Sequence, residues 1–263
     1  MTMKKRLIPA VAAVLVLAGC GAAASGGVSG SAAAGGGTPA AATTPAAGST
    51  AQHDSTAAVS SGDIPAGALP FPVAVGDTWV YRAASAATSS STVTNKITAV
   101  LPTSAGTRVT ESYSNSDDTK FDSNATWVFH SNGTITFPVT QNMGIQVVSS
   151  SGGMVFPTAA EVASGAPYHS TLTLTFAEGG KDYTESAHIT MQGAGTQTVT
   201  VPAGTYQNAT IVDSTFDATV EGIPFDMQMK FWVVTGVGEV KSQVSMGSAA
   251  MASSLELVSF TKG

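Results

Sequence analysis

Strict alternation of apolar and polar side chains is the feature that most constrains the fold of this chain. The clearest example runs from Phe225 to Val233, where the apolar residues Phe225, Met227, Met229, Phe231 and Val233 alternate with Asp226, Gln228, Lys230 and Trp232. Successive side chains of a β-strand point to opposite faces, so this segment is predicted to be a strand with one apolar face. Segments 171–176 and 187–192 show the same alternation.

Most of the remaining chain beyond residue 62 is also predicted to form strands. The segments concerned are rich in β-branched and aromatic residues and are bounded by Gly, Pro, Asn or Ser. They are Thr78–Ala83, Val93–Val100, Thr107–Tyr113, Ala125–His130, Gly144–Ser149, Thr196–Val201, Tyr206–Phe216 and Leu255–Thr261. The pair Asn132-Gly133 lies between apolar runs and predicts a tight hairpin.

Helical patterning is weak by comparison. The best candidate is Pro157–Ser164, where Thr158 could cap a short helix together with Glu161 three residues later. The fold is therefore predicted to be mainly β, an antiparallel meander of about ten strands with little helix. A sheet of that size tends to curl, which predicts a barrel or half-barrel, with a β-sandwich as the alternative.

The N-terminus has the pattern of an export signal. Lys4, Lys5 and Arg6 precede an apolar stretch, 7–17, that is too short to span a bilayer as a helix. The stretch ends in Leu17-Ala18-Gly19-Cys20, which resembles the lipobox of bacterial lipoprotein signal peptides. The resemblance implies that residues 1–19 are removed and that Cys20 carries the lipid. The alternative is an ordinary secretory signal in which Cys20 is incidental.

Composition then divides the remainder into a tether and a folded domain. Residues 20–62 consist largely of Ala, Gly, Ser, Thr and Pro, which predicts a disordered linker, and residues 63–263 are predicted to form one domain. Without the three basic residues of the leader, 8 basic residues face 17 acidic ones, a formal charge of −9. This charge argues against binding to nucleic acid or to anionic lipid. The expected location is extracytoplasmic, on the cell membrane or on an outer membrane if the envelope has one, with lipid on Cys20 as the anchor.

Residues that could carry chemistry are few and scattered. Cys20 is the only cysteine, so no intramolecular disulfide can form. The histidines stand alone, without a second ligand at metal-binding spacing, and no phosphate-binding loop is present. Glu111, Glu178, Glu185 and Glu221 are single carboxylates with no evident acid/base partner. We therefore expect a protein that is not an enzyme and that holds no metal and no cofactor.

Three short motifs carry a further resemblance. They are the opening 69–81 (LPFPVAVGDTWVY), the segment 199–206 (VTVPAGTY) and the segment 235–241 (TGVGEVK). In this order they resemble a diffuse group of secreted bacterial β-rich proteins and lipoproteins of unassigned function. The group is similar in architecture to the lipoprotein-carrier half-barrels of the LolA/LolB type, which implies a curved sheet able to cup acyl chains.

The apolar strand face is the feature with most functional potential. Methionine is flexible and polarisable and recurs at surfaces that accept varied apolar partners. A lipid or another apolar ligand is therefore expected against the set Ile189, Met191, Phe225, Met227, Met229 and Phe231, unless these side chains simply fill a closed core. The alternative function is a protein–protein interaction module of the cell envelope, with a closed core and no small ligand.

Overall fold

The computed structural model describes residues 65, 67–85, 88–116, 123–137, 146–178, 181–220, 223–246 and 248–263. Strands account for most of this part of the chain. They are β1 (Thr78–Ser85), β2 (Thr88–Thr103), β3 (Gly106–Asn115), β4 (Ser123–Phe129), β5 (Ile135–Phe137), β6 (Gln146–Gly152), β7 (Met154–Phe156), β8 (Tyr168–Glu178), β9 (Lys181–Val201), β10 (Gly204–Val220), β11 (Ile223–Val234), β12 (Gly238–Met246) and β13 (Ser248–Thr261). A short helix, α1 (Ala159–Ser164), lies between β7 and β8.

All thirteen strands belong to one antiparallel sheet. The order is β6-β8-β9-β10-β11-β12-β13-β1-β2-β3-β4-β5-β7, so nearly every strand pairs with its neighbours in sequence and β13 returns to pair with β1. The sheet curls until it is nearly closed into a barrel. The predicted mainly β meander is thus confirmed, as a barrel and not as a sandwich.

The structure has more strands than the sequence pattern predicted. The segments 187–192 and 196–201 belong to the single long strand β9, while β5 and β7 have only three residues each, too few to show alternation. β12 lacks a clear alternating pattern because its register shifts between Glu239 and Lys241, opposite Val233 and Trp232, and because the buried Ser242 is polar.

Two adjacent glycines bring the edges of the sheet together. β6 pairs with β8 at one edge, whereas β7, which follows directly in the chain, pairs with β5 at the other edge. Gly152 has φ +73°, and a β-carbon there would overlap the carbonyl oxygen of Thr171. Gly153 donates its N–H to the same oxygen at 3.4 Å. Because only glycine fits this corner, one continuous segment can cross from one edge of the sheet to the other, which brings the two edges close together.

Helix α1 forms where the capping signal predicted a short helix, and it lies against β9. Thr158 accepts a hydrogen bond from the Glu161 N–H, and the Glu161 carboxylate accepts one from the Thr158 N–H. The helix packs on β9 where a β-carbon at Gly193 would overlap the Val162 carbonyl oxygen, so the contact requires glycine. Within the described ranges, no helix is long and apolar enough to cross a membrane.

Candidate functional site

The residues predicted to hold an apolar ligand lie together in the core. Ile189, Met191 and Met227 are at most 1% exposed, Phe231 is 2% exposed and Met229 is 4% exposed. The register explains the grouping, since β10 lies between β9 and β11 and all three strands direct the same face inward. The side chain of Phe225 lies outside the described part of the structure.

The space beside this core is small. Phe231 borders an internal cavity of about 30 Å3. A cavity of that size holds about one water molecule, whereas pockets for small ligands usually measure roughly 300 to 1,000 Å3. Binding of an apolar ligand to this set of residues stays a prediction.

Aromatic rings form most of the wall of the cavity. The segment before β1 inserts Phe71 edge-on between Trp127 and Phe156, at centroid distances of 6.0 and 6.2 Å. Phe137 and Phe231 extend the wall on either side of Phe156, at 4.9 and 5.3 Å from that ring. The prolines that flank Phe71 favour extended backbone, which lets its side chain reach inward.

A carboxyl group, Glu111 on β3, projects into this aromatic interior. It alternates in phase with Val109 and Tyr113 and is 5% exposed. Its side chain is hydrogen-bonded to those of Asn95 and Trp127. Burial raises the pKa of Glu111 from 4.5 to about 8, and the nearby charge of Glu239 adds to the increase.

Glu239, at the start of β12, is the second carboxyl group of the cavity. Two side chains from β1 hold the turn that precedes it. The Trp79 Nε1–H donates to the Val237 carbonyl at 2.6 Å, and the Tyr81 hydroxyl donates to the Glu239 carbonyl at 3.0 Å. Burial raises the pKa of the Glu239 carboxyl to about 7, although its hydrogen bond to Ser242 acts in the opposite direction.

Two oxygen atoms at the cavity have no hydrogen-bond partner among the described residues. They are Glu239 Oε1 and Asn95 Oδ1, and both atoms are fully buried. An unpaired buried acceptor is costly, so such an atom usually accepts a hydrogen bond from water or from a ligand. At neutral pH the two carboxyls hold protons to a large extent, and the site can exchange protons or accept hydrogen bonds.

Sequence reasoning did not bring these residues together. In the sequence Glu111 is one of several scattered carboxylates, and no motif marks Glu239 or Asn95. A signal was nevertheless present, because Glu111 and Asn95 each lie two residues from buried apolar positions on their own strands. Extending the strand phase through polar residues would have placed both inside.

A much larger space lies on the solvent side of the sheet. It is a groove of about 710 Å3 across β10, β11, β12, β13 and β1, called here the outer groove. Its floor consists of two rows of side chains that the register places side by side. One row is Asp213, Lys230, Gln243, Ser254 and Ala84, and the other is Thr215, Gln228 and Ser245. These positions alternate with the buried residues Ser214, Met229 and Val244.

An irregularity in pairing helps to shape the outer groove. Opposite Val244 and Met246 of β12, the partner on β13 changes from Ser253 to Ser248, so residues 249–252 have no partner on β12. Ala252, from this extra stretch, lines the groove. Most of the lining side chains carry hydroxyl or amide groups, and Lys230 and Asp213 form an ion pair at 3.3 Å.

Positive charge is concentrated at one end of the outer groove. The Nζ atoms of Lys230 and Lys241 lie 5.9 and 5.7 Å from the ring centroid of Trp232. Glu256 accepts hydrogen bonds from Arg82 at 2.6 Å and from Lys241 at 3.1 Å, and these cations lower its pKa, Arg82 most of all. At this end of the groove three cations and two carboxylates leave one net positive charge, whereas Asp217 and Asp226 lie beyond Thr215 and Gln228 at the other end.

The burial of Trp232 differs from the expectation for a polar strand face. It is 7% exposed although it alternates with the apolar residues of β11. The turn between β9 and β10 folds back over this part of the sheet, where the Ala203 N–H donates to the Leu257 carbonyl at 2.9 Å. Gln197 accepts a hydrogen bond from the Trp232 Nε1–H at 3.2 Å. The alternation of side chains within β11 cannot show that a hairpin far away in the sequence covers Trp232.

Metal-binding geometry is not found within the described ranges, where no three His, Cys, Asp or Glu side chains cluster. His130 is hydrogen-bonded to Thr136 at 2.7 Å and His169 to Thr190 at 3.0 Å. His188 is exposed on the polar face of β9, as its strand phase predicted. Cys20 lies outside the described residues.

Comparison with known proteins identifies the fold. No protein-family model matches the sequence, and no curated protein matches it. A protein of Bacteroides fragilis described as exported, with a YmcC-like fold, superimposes with a TM-score of 0.54 at 16% identity, over 74% of this chain and 100% of that protein. A Parabacteroides distasonis protein described as a lipoprotein gives 0.53 at 13% identity, over 74% and 99%. The resemblance to exported bacterial β-rich proteins is thereby confirmed at the level of the fold.

Proposed function

We propose that this protein is a lipid-anchored, non-enzymatic lipoprotein of the cell envelope that binds another envelope protein through the outer groove. The observation that carries the proposal is the difference in available space. The cavity inside the barrel measures about 30 Å3, whereas the outer groove measures about 710 Å3. A partner loop or strand can enter the groove without opening the core.

The chemistry of the outer groove suits a protein surface better than a lipid. Its hydroxyl and amide side chains offer both donors and acceptors, as in interfaces that form between proteins stable on their own. The positive end of the groove, at Arg82, Lys230 and Lys241, favours a partner with an acidic patch and would speed its approach. Binding of this kind weakens as the ionic strength rises.

Anchoring follows from the N-terminus and agrees with the structural neighbours. The lipobox ends at Cys20, and the neighbouring proteins are described as exported or as a lipoprotein. The linker that composition predicts for residues 20–62 would reach roughly 30 to 40 Å and would hold the outer groove within reach of partners at the membrane surface.

Site-specific photo-crosslinking in the native host tests the proposal. A photo-reactive amino acid is placed at Gln228 or Gln243, in the outer groove, or at Thr171, which is exposed on β8. We expect the same protein to be captured from both groove positions and not from Thr171. The double variant Gln228→Glu/Gln243→Glu should abolish capture from a third groove position, Ser245, because the new carboxylates repel an acidic partner, whereas Thr171→Glu should leave this capture unchanged. Equal capture at all positions, or unchanged capture in the double variant, would contradict the proposal.

A further inference from the structure

The geometry points to a second binding site, independent of the outer groove: the internal cavity bordered by Asn95, Glu111 and Glu239 binds one small ammonium cation. The inference concerns the inside of the barrel and does not depend on what occupies the groove.

At pH 8, where Glu239 is mainly ionised, the hydrogen-bonding groups left over at the cavity are all acceptors. Glu239 Oε1 and Asn95 Oδ1 are fully buried and unpaired among the described residues. Glu111 is already hydrogen-bonded to Asn95 and Trp127, which have N–H groups to donate. A second acceptor could not satisfy Glu239 Oε1 and Asn95 Oδ1, so the missing occupant must be a donor of at least two hydrogen bonds.

The charge of the cavity selects a cation among such donors. Two carboxyl groups, Glu111 and Glu239, border it, and no lysine or arginine is among its described lining residues. The remaining titratable group of the lining is Tyr81, whose hydroxyl donates to the Glu239 carbonyl. The rest of the wall is mainly aromatic, and the faces of aromatic rings attract ammonium groups.

The size of the cavity restricts the cation further. A volume of about 30 Å3 accommodates one non-hydrogen atom, which fits ammonium and excludes quaternary ammonium ions. Hard metal cations usually take six or more oxygen ligands, and a wall made mainly of rings cannot supply them. Ammonium, by contrast, gains both from the directional acceptors and from the rings.

Proton uptake competes with cation binding at this site. The pKa of Glu239 is about 7 and that of Glu111 is about 8, so below these values the carboxyls are neutral and attract a cation weakly. Affinity should therefore rise with pH through this range. Between pH 8 and pH 6, protonation of Glu239 alone should weaken binding by about tenfold.

The experiment uses the purified protein in non-ionic detergent and ammonium chloride as the probe. Thermal unfolding at pH 8 is compared in ammonium, sodium and tetramethylammonium chlorides at equal ionic strength, and 15N-ammonium is observed directly by NMR. We expect the unfolding midpoint to rise with ammonium alone and a protected 15N-ammonium signal to appear. Both effects should fade at pH 6.

Variants separate the internal site from general salt effects. Glu239→Gln keeps the size of the side chain and is neutral in a place that disfavours charge, so the variant should fold and lose the ammonium effect. Asp182→Asn removes an exposed carboxylate outside the cavity lining, and this variant should keep the ammonium effect. Identical midpoints in ammonium and sodium, with no protected signal at pH 8, would overturn the inference and leave the cavity to a water molecule. Groove binding, measured by crosslinking, should be the same in Glu239→Gln and in the unchanged protein.

Discussion

Replacing Glu111 by Gln should make the protein more stable at pH 8 but not at pH 4.5. In the unfolded chain this carboxyl ionises near 4.5, whereas in the folded protein its pKa is about 8. Between these values the folded state holds a proton that the unfolded state has released, so stability falls as the pH rises. The slope is about 1.4 kcal/mol per pH unit, and the total loss is on the order of 5 kcal/mol.

The Gln variant should escape that loss because its side chain is neutral at every pH. Its amide oxygen can still accept hydrogen bonds from Asn95 and Trp127, which are hydrogen-bonded to Glu111 in the folded protein. The stability difference between variant and unchanged protein should therefore be near zero at pH 4.5. It should grow by about 1.4 kcal/mol per pH unit up to pH 8.

Urea unfolding in sodium buffers from pH 4.5 to 8.5, followed by tryptophan fluorescence, measures this difference. Asp182→Asn is the matched control, since it removes an exposed carboxylate and should differ little from the unchanged protein at any pH. A Glu111→Gln difference that stays constant across the pH range would refute the reasoning. It would mean that Glu111 is ionised in the folded protein or reached by solvent.

Three further predictions concern the anchor, the barrel seam and the outer face. Cys20→Ser should abolish labelling by a fatty-acid analogue and release the protein from membranes, and continued membrane attachment on fractionation would contradict lipidation at this residue. Gly152→Ala should cost about 2 kcal/mol or more in urea unfolding, because φ is +73° and the new β-carbon would overlap a carbonyl oxygen of β8. Gly195→Ala, at φ +83° with nothing within 4 Å, should cost only about 1 kcal/mol, and equal costs would show that the seam is not tightly packed. Asp217 and Asp226 lie directly opposite each other on β10 and β11, so Asp226→Asn should raise stability by about 0.2 to 1 kcal/mol at low salt, and a gain unaffected by 1 M salt would argue against charge repulsion as its cause.

How far the fold could be predicted depended on whether each element has a local signal. The strand from Ile223 to Val234 and the helix capped by Thr158 were recognisable because period-two alternation and a capping box are properties of adjacent residues. β12 was not recognisable because its register shifts between Glu239 and Lys241 and because the buried Ser242 is polar, which interrupts the alternation. β5 and β7 were missed because their pairing, and not their sequence, makes them strands.

The sequence by itself determined the class of fold and the inward face of most strands, because alternating side chains can bury only one side of a sheet. Only the tertiary structure decided which polar residues meet inside. Asn95, Glu111 and Glu239 come from three different strands and converge because the sheet curls and returns β13 to β1. The tertiary structure also decided that Trp232, on a polar strand face, is covered by the hairpin between β9 and β10. Convergence and covering depend on contacts between residues far apart in the chain, which the pattern within a single strand does not encode.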